Sequence, residues 1–198
     1  MTSITLTPDL IIVQKLHGND GYTWTLASRL GDMLHIAEEL FGPRDTSFTI
    51  LGVEIGPAIP QVWYPGNRRY AVVQLSPLAA SNMSEACFQL AHETVHLLAP
   101  NGGGAATNLE EGVACYFADY YMRTRLGETT WYPKEQSYHR ALGLVSPRLN
   151  ADIQCISRLR KKQPAFSQFN REDVLGEFPG LNPLDLGFLL SQFDRDAT

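Results

Sequence analysis

Residues 82–98 have the sequence NMSEACFQLAHETVHLL, and the expected fold and site both follow from this stretch. Asn82 followed by Glu85 is the pattern of a helix N-cap with an acid three positions later. The stretch therefore predicts a helix over about 82–98. Inside it, His92 and His96 are four residues apart, so both imidazoles leave the same face of the helix and can reach one metal ion.

The residues between the two histidines complete a motif for metal-assisted hydrolysis. His92-Glu93-Thr94-Val95-His96 is an H-E-x-x-H sequence. Neutral imidazole nitrogens suit zinc, so His92 and His96 are predicted as metal ligands. Glu93 lies about 100° around the helix from His92, because a helix has 3.6 residues per turn. At that place its carboxylate can take a proton from a metal-bound water, and Glu93 is the predicted general base.

A third ligand is expected on the next helix, which is predicted over about 107–126. Glu110 and Glu111 both lie in its first turn, three and four residues after Thr107. Glu110 has the spacing of a capping-box partner and is expected to reach back to the Thr107 amide. No capping interaction is predicted for the Glu111 side chain. Glu111 is therefore the predicted third ligand, with Glu110 as the alternative.

These residues together resemble the gluzincin zinc metallopeptidases, in which H-E-x-x-H is followed on the next helix by a glutamate ligand, often within Asn-Glu-Gly-x-Ala. The corresponding stretch here is Glu110-Glu111-Gly112-Val113-Ala114. The resemblance implies a zincin-like fold, one Zn²⁺ ion and peptidase activity. It assigns the metal to His92, His96 and Glu111 and the base role to Glu93. The chain lacks the Gly-x-Met-Glu-Asn stretch of gluzincin aminopeptidases, which favours an endopeptidase.

Gluzincin-like sites often hold the developing oxyanion with a tyrosine or histidine from another element. Four side chains are candidates for this role: Tyr138, His139, Tyr120 and Tyr121. For each of them, ordinary packing is the alternative interpretation. Cys115, one turn after Glu111, is either a further ligand or a small core residue.

The remaining pattern predicts an α+β fold with a small N-terminal mixed β-sheet packed on helices. Strands are expected within 3–14 and at 48–55, 61–64 and 69–76, and further helices at 22–41, 134–146, 148–163, 171–176 and 183–193. The chain is predicted to form a single domain over 1–198, rich in sheet to about residue 80 and helical from about 81. Strand 69–76 is expected at the sheet edge above the metal, where a peptide can pair with it.

Composition narrows the classes of partner and compartment. The 198 residues carry a formal net charge of −5, which argues against a general nucleic-acid binder. No apolar run approaches the roughly 20 residues of a membrane-spanning helix. The first twenty residues lack the features of a secretory leader, and three cysteines without a close pair indicate reduced thiols. A cytoplasmic protein acting on a peptide or protein is therefore expected.

Two other functions stay open at this point. One is a zinc-binding regulatory or interaction domain with weak catalysis, because the sequence departs from the gluzincin pattern around Glu111. The other is a helical interaction protein without a metal.

Overall fold

The computed structural model describes residues 14–15, 23–56, 58–66, 68–130, 133 and 136–195. In these residues the chain forms an α+β fold with the following elements: β1 Gln14–Lys15, β2 Thr23–Trp24, α1 Leu26–Phe41, β3 Thr49–Ile55, β4 Gln61–Trp63, β5 Tyr70–Leu75, α2 Met83–His96, α3 Asn108–Tyr121, α4 Gln136–Ala151, α5 Cys155–Lys162, α6 Arg171–Glu177 and α7 Pro183–Leu190. The α+β prediction is confirmed. The strand expected within 3–14 lies outside the described residues, apart from residue 14.

The larger sheet is mixed and has the strand order β3-β5-β4. Strand β5 pairs in parallel with β3 and antiparallel with β4, so the prediction of an edge strand at 69–76 is wrong. The reason is burial on both faces: five consecutive residues, 71–75, are buried, as is typical of a central strand. In the described sheet, β4 and β3 are the edges.

Side-chain caps fix where the helices begin. Helix α1 starts at Leu26 and not at residue 22, because Thr25 and Ser28 form a capping box that ends the preceding extended segment. Helix α2 begins as predicted after Asn82, whose Oδ1 accepts a hydrogen bond from the Glu85 amide at 3.0 Å. The Asn82 cap thus fixes the residue at which the helix carrying His92 and His96 begins.

Helix α4 contradicts the prediction of two helices separated at Pro147. It runs through Pro147 from Gln136 to Ala151. A proline inside a helix costs about 3 kcal/mol, but the buried face continues across it, with Val145 before and Leu149 after. Burial of a continuous apolar face therefore outweighs the local preference.

Helix α3 lies between α2 and α4. A Cβ atom on Gly112 would lie 2.8 Å from the carbonyl oxygen of Ala141 and 3.1 Å from Val145 Cγ1. Gly112 therefore permits the close approach of α3 to α4. Tight packing of α3 against α4 in turn fixes the start of α3 beside α2.

Arg160, on α5, ties the ends of several elements together. The residue is only 5% exposed. Its guanidinium donates to five backbone carbonyls at 2.8–3.1 Å, those of Phe41, Gly42, Pro43, Leu98 and Pro164. Burial lowers the pKa of Arg160 to about 10, so the group stays charged at neutral pH. One side chain thus holds the segments that leave α1 and α2.

The variant Arg160→Met is expected to lower the free energy of unfolding by about 2–5 kcal/mol, because buried carbonyls lose their donors. Urea denaturation followed by circular dichroism measures this loss. The exposed neighbour Lys161 provides the matched control, and Lys161→Met should stay within about 0.5 kcal/mol of the parent. Equal midpoints for the two variants would contradict the role given to Arg160.

Candidate metal centre

Helix α2 places both motif histidines against each other at its carboxyl end. The Nε2 atoms of His92 and His96 lie 3.3 Å apart, and the ring centroids are 5.2 Å apart. His92 is 8% exposed, so this pair of rings lies largely beneath the surface. The four-residue spacing accounts for this geometry, since it brings the two side chains to one face.

Helix α3 brings Glu111 to the same point. Its Oε2 lies 3.0 Å from His92 Nε2, and its Oε1 lies 3.5 Å from His96 Nε2. Thr107 caps α3, because its hydroxyl accepts the amide of Glu110 at 3.3 Å, and this fixes the first turn that carries Glu111. One ligand atom from each of His92, His96 and Glu111 lies within 4.8 Å of the others.

This donor set could hold a metal ion, and two imidazoles with one carboxylate are ligands that zinc accepts. Donors placed 2.0–2.1 Å from a tetrahedral centre lie roughly 3.3–3.4 Å from one another. The two Nε2 atoms are 3.3 Å apart, and each lies near a different Glu111 oxygen, Oε2 at 3.0 Å from His92 and Oε1 at 3.5 Å from His96, so a metal ion bound there could take either oxygen. Two imidazoles and one carboxylate supply three of the four ligands that a tetrahedral metal ion takes.

Glu110 has a different role from the one the sequence suggested. Its Oε1 accepts a hydrogen bond from His96 Nδ1 at 2.8 Å, and only its backbone amide takes part in the Thr107 cap. The capping-box prediction for the Glu110 side chain is therefore wrong. A carboxylate on Nδ1 orients the imidazole and leaves Nε2 free for a metal.

Cys115 lies on the Nδ1 side of the His92 ring. Its Sγ is 3.7 Å from His92 Nδ1, and the residue is 1% exposed. The thiol is thus on the far side of the imidazole from Nε2, which points at Glu111. Cys115 is therefore placed to contact a ligand and not to serve as one.

The carboxylates around the site affect the protonation of His96. Burial opposes a charge on His96, but Glu111, Glu110 and Glu93 outweigh it and raise the pKa of His96 to about 10. For Glu111, burial opposes ionisation, yet the charge of His96 and the hydrogen bond to His92 hold its pKa below the usual value. The carboxylates therefore favour the charged form of His96, and the same surroundings would favour a bound cation.

Binding of Zn²⁺ is expected to release roughly one proton at neutral pH, because a ligating imidazole must be neutral. Since the pKa of His96 lies at about 10 without metal, affinity should rise with pH up to that value. Calorimetric titration in two buffers of different ionisation enthalpy measures the released proton. A binding heat that is independent of the buffer would contradict this expectation.

Glu93 lies beside the cluster without belonging to it. The residue is 4% exposed, and burial raises the pKa of its carboxyl. It borders two adjoining cavities of about 300 and 330 Å³, which also share His92. A buried carboxylate with access to the same space as the metal ligands can exchange a proton with a molecule bound there.

Of the four aromatic candidates, the structure brings Tyr138 to the site. Its ring is perpendicular to that of His92, with centroids 5.6 Å apart, and it borders the 300 Å³ cavity. Burial raises the pKa of Tyr138, so its hydroxyl remains a donor. His139 instead contacts the Pro133 carbonyl at 2.6 Å, and the Tyr121 hydroxyl donates to Asp32 at 2.8 Å.

Tyr120 is also placed away from the cleft, since it does not border either cavity in the described structure. Two residues that the sequence did not indicate border these cavities: Tyr64 and Arg195. Tyr64 follows β4, and its hydroxyl accepts the Asn101 amide at 3.2 Å. Arg195 follows α7 and borders both cavities. Neither lies in a motif or at a spacing that could have identified it.

In the described part of the chain, no helix is both long and apolar enough to cross a membrane. Comparison of the sequence with protein-family models and with curated proteins, and of the structure with solved structures, found no match.

Proposed function

We propose that this chain is a zinc-dependent peptidase with a zincin-like fold. The observation that carries the proposal is the convergence of His92 Nε2, His96 Nε2 and a Glu111 carboxylate oxygen next to the buried Glu93. A bound Zn²⁺ ion would supply Lewis acidity and lower the pKa of a water toward about 7. His92, His96 and Glu111 would hold it.

Glu93 acts as the general base. Its carboxylate accepts a proton from the attacking water and then delivers that proton to the leaving amine. Burial favours this exchange, because it moves the pKa of Glu93 above the value of an exposed carboxyl. The positive charge of Arg195 works in the opposite direction and helps to keep the ionised form available.

Tyr138 is the group best placed to donate a hydrogen bond to the oxyanion. The ring packs at 4.7 Å on Phe193 as well as against His92, so its position is fixed before substrate arrives. Pre-positioned donors of this kind stabilise the charge of the transition state most strongly in sites from which water is excluded.

A peptide is the substrate that best matches the surface next to the cluster. The edge strand β4 borders the 330 Å³ cavity through Gln61 and Val62, together with His92, Glu93 and His96. Its outer edge is unpaired in the described sheet. An extended peptide can add to such an edge, which would hold its backbone across the site.

We also propose that the protein works in a reducing compartment such as the cytoplasm. Cys87, Cys115 and Cys155 are all buried, and none forms a disulfide with another described residue. Burial raises the pKa of Cys87 and of Cys155, which protects these thiols from oxidation.

The test is incubation of the zinc-loaded protein with a mixed peptide library, followed by mass spectrometry. Cleavage that stops on addition of a zinc chelator and returns with Zn²⁺ is the expected result. Protein that retains one zinc per chain but cleaves no peptide would contradict the peptidase and favour a zinc-binding regulatory domain. Protein that retains no zinc would contradict both.

A further inference from the structure

The segment after α7, residues 191–195, borders the two cavities and is hydrogen-bonded on both of its sides. The Phe193 amide donates to the Ala106 carbonyl at 2.9 Å, and Gln192 forms a β-bridge with Thr107. On the other side, the Ser137 hydroxyl donates to the carbonyl of Arg195 at 3.2 Å. The backbone at Arg195 is therefore held by the start of α3 and by α4, the same elements that position Glu111 and Tyr138.

The Arg195 side chain lies where the two cavities meet. It borders both of them, and its guanidinium carbon is 5.7 Å from the centroid of the Tyr138 ring. Its charge also reaches the site, because it lowers the pKa of Glu93 and of Glu111. A guanidinium thus faces the space that a substrate would fill.

Arg195 differs from the other half-buried arginines in how its donors are used. Arg148 and Arg158 both pair with Glu177 and Asp152. Among the described residues, these salt bridges involve other arginines, and Arg195 instead borders both cavities and lies over the Tyr138 ring. A guanidinium has five donors in a fixed fork that matches a carboxylate, and that of Arg195 borders the two cavities that a substrate would fill.

We propose that Arg195 binds a carboxylate of the substrate, and that the enzyme therefore prefers peptides with an acidic group next to the scissile bond. This inference rests on the proposed peptidase function. The carboxylate can be the carboxyl terminus of the peptide or an Asp or Glu side chain, and the two sources share the same chemistry. Carboxylates are the anionic groups that peptides carry, and a fork-to-fork pair with arginine is both strong and directional.

The experiment measures binding to zinc-loaded protein carrying Glu93→Gln, which prevents turnover during the titration. Three acetylated tetrapeptides of otherwise equal sequence are the probes: one ends in a carboxylate, one ends in an amide, and one ends in an amide but carries a glutamate side chain. We expect one or both acidic probes to bind at least about tenfold more tightly than the neutral probe, which corresponds to about 1.4 kcal/mol.

Adding Arg195→Met should reduce this preference to about one, because methionine keeps the length of the side chain but offers no donors. The control Arg140→Met removes an arginine that pairs with Asp185 and borders neither of the two cavities, and it should leave the preference unchanged. Equal binding of all probes, or no binding of any, would overturn the inference. A preference that persists in Arg195→Met would also overturn it, since the metal would then be the carboxylate site.

Failure of the inference can be told apart from failure of the proposed function. The probes measure affinity without hydrolysis, whereas chelator-sensitive cleavage tests the peptidase. In active enzyme, Arg195→Met should raise KM for acidic peptides more than for neutral ones, whereas any fall in kcat that acts through the pKa of Glu93 should be the same for both. A loss confined to kcat for acidic and neutral peptides alike would identify Arg195 as an oxyanion donor and overturn the proposal.

Discussion

Glu93→Gln should lower kcat for peptide hydrolysis by about 10²–10⁴-fold, which is the usual contribution of a general base. Glutamine has nearly the same shape as glutamate, but it cannot accept and return a proton at neutral pH. The carboxyl is not among the three grouped ligand atoms, so the variant should bind one zinc ion as the parent does. Steady-state kinetics and metal analysis of the same preparation check both parts.

The expected result for Glu93→Gln depends on burial. Because Glu93 is 4% exposed, the neutral amide removes the cost of a buried charge, and stability should not fall. An inactive but unfolded variant is therefore not expected, and circular dichroism would detect it. Activity equal to that of the parent would show that another group accepts the proton.

Glu111→Ala is expected to weaken zinc binding far more than Glu110→Ala. Loss of Glu111 removes a donor atom 3.0 Å from His92 Nε2. Loss of Glu110 removes the hydrogen bond to His96 Nδ1, and such outer partners typically contribute 10–100-fold, so Glu111→Ala should cost more than about 10²-fold. Competition with a fluorescent zinc chelator measures both affinities.

The two glutamates form a matched pair for this comparison. They are adjacent in α3 and both are buried; Glu110 contacts His96, and Glu111 contacts both His92 and His96. Differences in helix propensity or burial therefore largely cancel between the variants. A larger loss of affinity for Glu110→Ala would transfer the ligand role to that residue and would contradict the geometry proposed for the site.

Predictions from the sequence were most accurate for features that depend on neighbouring residues within one helix. The spacing of His92 and His96 fixes their relative direction once a helix forms, and the Asn82 cap determines where that helix starts. Helices α2 and α3 could therefore be placed to within two residues at most ends. The preference for Glu111 over Glu110 also came from local reasoning, although the capping duty assigned to Glu110 was wrong.

The sequence predicted poorly where tertiary contacts decide. Strand β5 is central because β4 returns beside it, and no local pattern records this pairing. The Glu110 side chain contacts His96 because α2 and α3 pack together, which gives the carboxylate a stronger partner than the backbone amide. Arg195 reaches the cleft only because the segment after α7 pairs with residues 106–107.

The most direct test of the central claim is X-ray absorption at the zinc edge of the zinc-loaded protein. We expect one zinc per chain with about four nitrogen and oxygen neighbours at 2.0–2.1 Å, and scattering from two imidazoles that diminishes when either His92 or His96 is replaced. A sulfur neighbour at about 2.3 Å would place Cys115 in the coordination sphere. That result, or a shell of oxygens without imidazole, would contradict a site built from His92, His96 and Glu111.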